Sequence, residues 1–330
     1  MSWLITGGAG YIGSHISHTF VSNDEHVVVF DNLRTGSVER LPSGAKFYKG
    51  DITSEKDLEN VFENETIEGV INLAALKSVE ESSRLPEEYV RVNTFGVEVL
   101  LKVAMRHGAR IFLQTSTAAV YGNVVGGVAF EESETNPVSV YGKSKLDAEK
   151  ILNSYLASGK ILGLSLRYFN VVGASTPDLS DTSNSNLFPI VMNALRSNES
   201  PNVFGVDYAT PDGSCVRDYV HVQDIADAHL LAVRTLKART LPKAINLGTG
   251  KGHSVLEVLS TMQKFLGSSL LLNIAPRRVG DPASLIANVD LAYQSLGFKA
   301  QRGIEEMVAS TFPVTRSTLN DGFTLGHPID

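Results

Sequence analysis

Tyr141 and Lys145 stand four residues apart in "SVYGKSKLDAEK", where a charged helical stretch begins. Four residues is about one helical turn, so a phenol and an ammonium can face the same point. A solvated helix with a tyrosine near its start has the same spacing. The chemical alternative is a phenol ready to take a proton from an alcohol. Free tyrosine ionises at about pH 10, and bringing it to about 7 takes about 4 kcal/mol. One positive charge about 5 Å away, at an effective dielectric of about 20, supplies about 3 kcal/mol. Lys145 is therefore expected to lower the Tyr141 pKa, with the positive ring of an oxidised nicotinamide adding to the effect. A hydroxyl should stand opposite, and "TSTAAVYG" offers Ser116 and Thr117.

Proton removal of this kind needs a hydride acceptor, and the first residues supply a place for one. "TGGAGYIGSH" follows the short apolar run "WLIT" and opens a helical pattern. Gly7, Gly10 and Gly13 allow a tight turn, close backbone approach to a pyrophosphate and close packing of helix on sheet. The helix start adds free N–H groups and a positive dipole end. Asp31 ends the second apolar run, 18 residues past Gly13. A carboxylate there accepts from both adenosine ribose hydroxyls and repels a 2′-phosphate, which predicts NAD rather than NADP. Asp31 is equally suited to start an Asx turn in "DNL", and Arg34 lies close enough to serve a 2′-phosphate. The expected cofactor contacts are Gly7, Gly10, Tyr11, Ile12 and Gly13; Asp31 with Asn32; Asp51 with Ile52; Leu73, Ala74 and Ala75; and Lys77, which is otherwise an ordinary surface lysine.

The elements that must carry these residues alternate. Strands are expected over 3–6, 26–30, 45–51, 69–75, 110–116 and 161–169. Helices are expected over 11–22, 55–64, 87–107 and from Tyr141 to Leu156. Such alternation implies βαβ units and a parallel sheet with right-handed crossovers. The fold class is α/β: a Rossmann-type doubly wound parallel sheet with a smaller C-terminal substrate-binding lobe. A dinucleotide-binding unit is expected over 1–170, with segments near 215–250 ("VRDYVHV", "KAINLGTG") returning to it. Residues 171–330 form mainly the substrate lobe, opening with a long loop over 171–186 and closing with a polar surface tail over 316–330.

Length and composition agree with this division. The chain has 330 residues, 43% of them hydrophobic, enough for a sizeable core. Its net charge of −7 argues against a nucleic-acid or anionic-membrane partner. Cys215 is the only cysteine, which excludes an intrachain disulfide and fits a reducing, cytoplasmic setting. The N-terminus has no basic region and its apolar run stops at Gly7, so no secretory leader is expected. No apolar run is long enough for a membrane span. The eight histidines show no paired metal-ligand spacing, and no metal site is expected.

"TGGAGYIGSH", "DN" at Asp31, "GDI", "AALKSV", "TSTAAVYG", "YGKSK", "RYFN", "VRDYVHV" and "APRRVGD" occur in an order that resembles the extended short-chain dehydrogenase/reductase family. "SNLFP", "DGSCVRDYVHV" and "PRRVGD" narrow the resemblance to its UDP-hexose 4-epimerases, and it covers nearly the whole chain. It implies NAD as cofactor, a UDP-hexose as substrate, and a homodimer through the helices over 87–107 and 141–156. It implies that Tyr141 is the base, that Lys145 is its partner and a ribose ligand, and that Thr117 lies near the sugar 4′-hydroxyl. Asn93, Tyr168 and Phe169 would line the nicotinamide side. Asn170, Asn186, Leu187 and Phe204 would meet substrate, Arg217 and Arg278 would clamp the diphosphate, and Asp281 would bind the uridine ribose. Leu285 would border the hexose 2′-substituent, its leucine bulk disfavouring an N-acetyl group.

Without the resemblance, Arg217 and Arg278 read as salt-bridging surface arginines, Asn170 and Asn186 as loop residues, Asp281 as a helix cap, and Leu285 as core. Thr117 departs from the commoner serine, Val140 and Val171 from frequent prolines, and Trp3 is bulky for a buried first strand. A sugar-nucleotide dehydratase would need an acid–base pair after Thr117, where Ala118 and Ala119 stand. A UDP-N-acetylglucosamine 4-epimerase is a second alternative. A non-catalytic NAD-sensing protein is a third, and it need not keep both Tyr141 and Lys145.

Overall fold

The computed structural model describes residues 1–312 apart from 184, 185, 198, 268 and 279. The expected tail over 316–330 lies outside the described residues. The apolar runs of the first half become strands, and the amphipathic stretches between them become helices. In chain order these are β1 (Ser2–Thr6), α1 (Tyr11–Val21), β2 (His26–Asp31), β3 (Lys46–Lys49), α2 (Glu55–Asn64) and β4 (Ile67–Asn72). After the short α3 (Val79–Arg84), the helix expected over 87–107 runs without a gap from Pro86 to Arg106, as α4 (Pro86–Val90), a π-turn over Arg91–Phe95 and α5 (Gly96–Arg106). Then come β5 (Ile111–Thr117), β6 (Val128–Ala129), α6 (Val140–Leu156) and β7 (Leu162–Tyr168). Ser139 starts α6 by accepting the Gly142 N–H at 3.0 Å, a side-chain cap that satisfies one orphan donor.

The stretch expected as a loop over 171–186 holds the end of β8 (Asn170–Val172) and a 3₁₀ turn at Pro177–Leu179. Beyond it lie α7 (Leu187–Arg196), β9 (Asn202–Phe204), β10 (Val216–His221), α8 (Val222–Ala238), β11 (Ala244–Leu247), β12 (Gly252–Ser254) and α9 (Val255–Leu266). β13 (Asn273–Ala275), β14 (Ser284–Ala287), α10 (Asp290–Leu296) and α11 (Ile304–Thr311) complete the described chain. Among the described residues no helix is long and apolar enough to cross a membrane.

Seven strands pair in parallel in the order β3-β2-β1-β4-β5-β7-β11. Both faces are covered, so each strand is apolar on both sides. Trp3, Ile5, Val27, Val29 and Leu113 pack with α1, α8 and α10, while Leu4, Val28, Phe30 and Phe112 pack with α2, α5 and α6. The strand order reverses between β1 and β4, and the crevice at their carboxyl ends is where such sheets bind ligands. β11 returns to this sheet as expected of "KAINLGTG". "VRDYVHV" does not. β10 lies inside a five-stranded sheet, pairing with β8, β12 and β14, because its residues from Arg217 onward are buried and need partners on both edges. The return is made by α8, which packs its apolar face on α1, and α10 joins it there. The second unit has its own core, in which Phe188, Tyr219, Leu259, Met262, Met307 and Phe312 pack together.

Trp3 fits a buried first strand because Gly69, its register partner on β4, has no side chain. A Cβ on Gly69 would lie 2.4 Å from the indole ring. Gly69→Ala should therefore destabilise the protein by about 1–3 kcal/mol, the usual cost of overpacking. Urea denaturation of both proteins measures this, and equal midpoints would show that the indole has room to move.

Candidate active site

The carboxyl ends of β1, β2, β4 and β5 bring the candidate residues to one crevice. Gly7 turns the chain at φ +68°, and a Cβ there would sit 2.7 Å from the Ala74 nitrogen after β4. A Cβ on Gly13 would lie 2.2 Å from the Gly7 carbonyl, so only glycine lets α1 start this close to the loop. α1 begins at Tyr11 behind Gly10, with no side-chain cap and no acidic residue in its first turn. Its leading N–H groups and positive dipole end are thus not satisfied by a side chain of its own first turn. Asp31 closes the other side, its carboxylate accepting from the Ala9 N–H at 3.1 Å and the Leu33 N–H at 2.8 Å. Burial raises its pKa, and these two bonds oppose the shift. Asp51 holds Thr53 by backbone and hydroxyl and receives Asn32 Nδ2 at 3.4 Å. Ile52 is buried beside it, and Leu73, Ala74 and Ala75 line the turn after β4. An uncapped glycine turn beside one buried carboxylate suits a dinucleotide's pyrophosphate and adenosine ribose.

A strap from the second unit crosses this turn. Tyr11 Oη donates to the Gly173 carbonyl at 2.5 Å, and the Ser175 N–H donates to His15 Nε2 at 3.1 Å. Arg40 Nη2 donates to the carbonyls of Leu179 and Ser180 at 2.7 and 2.8 Å. Lys77 reaches Asp181 at 3.8 Å, and Asn186 Nδ2 donates to the same carboxylate at 2.6 Å. Lys77 and Asn186, expected to meet different ligands, are therefore joined through Asp181. Sequence reasoning missed Arg40, His15 and Asp181, whose types and spacing carry no local signal.

Tyr141, in the first turn of α6, stands beside the Thr117 hydroxyl and stacks edge-on against Tyr89, with ring centroids 6.5 Å apart. Lys145 is 3% exposed, and its ammonium lies 3.4 Å from Thr115 Oγ1, a partner that sequence reasoning missed. The expected lowering of the Tyr141 pKa does not hold for the protein's own groups. Burial raises it, with Thr117 opposing, because a phenolate loses more solvation than its neighbours restore. Burial also draws Lys145 down, to about 8, against the pull of Glu149. Of the two hydroxyl candidates only Thr117 meets the tyrosine. Ser116 instead donates to Glu149, further along α6, at 2.5 Å.

Asn93 and Tyr168 have partners within the protein. The amide of Asn93 is used up by the backbone of Leu76, at 2.8 and 2.9 Å, and by Ser144 at 3.0 Å. It ties the turn after β4 to α6, and the π-turn aims it there. Tyr168 is turned into the core, its hydroxyl 2.7 Å from His229 of α8. Phe169 belongs to a separate apolar cluster with Ala118, Tyr121, Leu146 and Leu285. Leu285 is 8% exposed there, as the core reading of that residue expects.

The second unit gathers most of the remaining candidates. Arg217 Nη2 meets Asp281 at 2.5 Å, and Arg278 lies over the Phe204 ring at 3.9 Å. Arg217 pairs in register with Leu285, which links this group to the apolar cluster. Asn170 begins β8 beside Tyr219, and Leu187 packs against the second core rather than with the arginines.

Residues 3–248 match the NAD dependent epimerase/dehydratase family. The chain is 41% identical to the UDP-glucose 4-epimerase of Halalkalibacterium halodurans, over 93% of each protein. It is 40% identical to that of Erwinia amylovora, over 94% of this chain and 97% of the relative. Among solved structures, a UDP-glucose 4-epimerase superposes with a TM-score of 0.91 at 37% identity, covering 98% of this chain and all of the other. The Bifidobacterium longum UDP-glucose 4-epimerase, in complex with NAD+ and UDP, gives 0.89 at 34% over the same shares.

The split between the neighbouring hydroxyls is measurable. Ser116→Ala removes a hydrogen bond to a buried carboxylate and should cost about 1.5–3 kcal/mol of stability, whereas Thr117→Ala removes ordinary bonds and should cost about 1 kcal/mol or less. Chemical denaturation of both variants decides, and the reverse order would contradict this geometry.

Proposed function

The chain belongs to the NAD dependent epimerase/dehydratase family, and we infer that it interconverts UDP-glucose and UDP-galactose by reversing the configuration at C4′. The reading rests on one observation above all: a phenol stands beside a threonine hydroxyl at the carboxyl end of β5, with a buried ammonium one helical turn away. That arrangement removes and restores the proton of a secondary alcohol. NAD, when bound, takes up the C4′ hydride and gives it back, so no net redox change results. Gly7, Gly10, Tyr11, Ile12, Gly13, Asp31 and Asp51 are assigned to hold it.

Tyr141 accepts the 4′-hydroxyl proton and later returns it, and Thr117 orients that hydroxyl by exchanging a hydrogen bond with the phenol. The 4-keto sugar turns over while its diphosphate stays fixed. Arg217 and Arg278 are assigned to that anchoring, which suits the fork geometry of guanidinium groups. Binding energy at the diphosphate then holds the intermediate for the second half-reaction. Ala118 and Ala119 carry no proton, so the site lacks the acid–base pair that eliminating water would require.

The half-exposed Val90 and Phe95 on the 86–106 helical segment support a homodimer through that surface. Sedimentation equilibrium should give twice the chain mass, and a monomer at micromolar concentration would overturn it. The lone buried Cys215 supports a cytoplasmic location, and immunofluorescence confined to another compartment would overturn it.

Purified protein should release near-stoichiometric NAD(H) on heat denaturation, with NADP absent. Tyr141→Phe keeps the ring but loses the proton acceptor, so turnover of UDP-galactose should fall by about 10²–10⁴-fold while UDP binding is preserved. Coupled assay and calorimetry read the two quantities. Turnover within about threefold of the parent would mean that another group is the base.

A further inference from the structure

Tyr141, Lys145 and Glu149 follow one another at single-turn spacing along α6. The reaction uses the first two. The third is a carboxylate 3% exposed, gripped from two strands. Arg167 of β7 meets it as a fork, Nε to Oε1 at 2.9 Å and Nη2 to Oε2 at 2.7 Å. Ser116, next to Thr117 on β5, donates to Oε1, and Ser116 and Arg167 are themselves register partners. Behind the fork, Arg167 Nη1 donates to Tyr121 Oη at 2.9 Å and to the Glu131 carbonyl at 3.1 Å.

A buried ion pair is a poor stabiliser, since apolar side chains of equal volume often serve as well. What an apolar filler cannot do is answer the charge of Lys145. The charged and titratable groups around this stretch are Tyr141 and Glu149 on α6, Arg167 and Tyr168 on β7, Tyr121 after β5, Glu131 after β6, and Tyr89 with its partner Glu81 on the α3–α4 side. Glu149 is the anion among them that favours the ammonium.

We propose that Glu149 is a positioning residue for the epimerisation. Clamped by Arg167 and Ser116, it seats the turn of α6 that carries Lys145 and supplies the counter-charge that keeps this ammonium protonated beside Tyr141. The proposal rests on Tyr141 being the base. Lys145 is charged below its pKa, so removing the Glu149 charge moves the alkaline limb of kcat to lower pH. Removing the Arg167 charge frees the carboxylate for Lys145 and moves that limb to higher pH.

The test is the pH profile of kcat on UDP-galactose for the parent, Glu149→Gln, Glu149→Asp and Arg167→Gln, with NAD(H) content measured on each. Glu149→Gln should move the alkaline limb down by about one pH unit or more, the scale of a lost neighbouring charge. Glu149→Asp should restore most of it, and Arg167→Gln should move it up. A purely structural role would lower kcat or stability without shifting the limbs in opposite directions. A parental limb in Glu149→Gln overturns the proposal. If circular dichroism shows that variant unfolded, Arg167→Gln decides, and an unchanged or lowered limb overturns it. A parent that does not turn over UDP-galactose would instead overturn the epimerase reading itself.

Discussion

One ammonium, that of Lys145, is held almost wholly out of water, and much of the surrounding architecture answers to it. Taking a charge into a protein interior costs several kcal/mol unless partners are supplied. Its partners are Thr115 on β5 and Glu149 one turn further along α6, and Arg167 of β7 holds that carboxylate from behind. Because those strands are register neighbours, the charge network also locks α6 to the sheet. The same locking sets Tyr141 against Thr117. Position and electrostatics are thus delivered by one set of bonds.

The cofactor crevice is built on the opposite principle. There the chain withholds side chains. Gly7 and Gly13 leave out Cβ atoms that would strike backbone, and the first turn of α1 has neither a side-chain cap nor an acidic residue of its own. Asn93 ties the turn after β4 to α6 through Leu76 and Ser144, so a crevice wall made largely of backbone and small residues is fastened from behind. The strap over 173–181 then ties the two units together across that turn through Tyr11, His15 and Arg40. The second unit is anchored where the cofactor would lie, while its arginines stand on separate elements.

The first half of the chain was legible because parallel strands buried on both faces leave near-continuous apolar runs, and because the glycine spacing follows one of them directly. Tyr141, Lys145, Thr117 and Asp31 were legible for the same reason: each sits at a strand end or in the first two turns of a helix. What was not legible depends on long-range contact. Nothing local says that Asn93 will be consumed by Leu76 and Ser144, that Tyr168 will turn its hydroxyl to His229, or that β10 will join the second sheet. The direction of the Tyr141 shift was misjudged because a pairwise charge estimate omits burial, which here is the larger effect. Glu149 could have been found, since a carboxylate four residues beyond a candidate lysine is visible in "YGKSKLDAE".

The path of the chain between the two sheets has a consequence for dissection. After β7 the polypeptide leaves for the second sheet, returns with α8 and β11, departs again with β12, and comes back once more at α10. A fragment ending near residue 170 would therefore leave β7 as a naked edge, stripped of β11, and would expose the face of α1 that α8 covers. Unpaired strand edges of this kind recruit other chains. Neither unit is a cassette that can be excised, swapped between relatives or expressed alone at a single cut, and shuffling of substrate preference has to proceed by loop grafts into the intact chain.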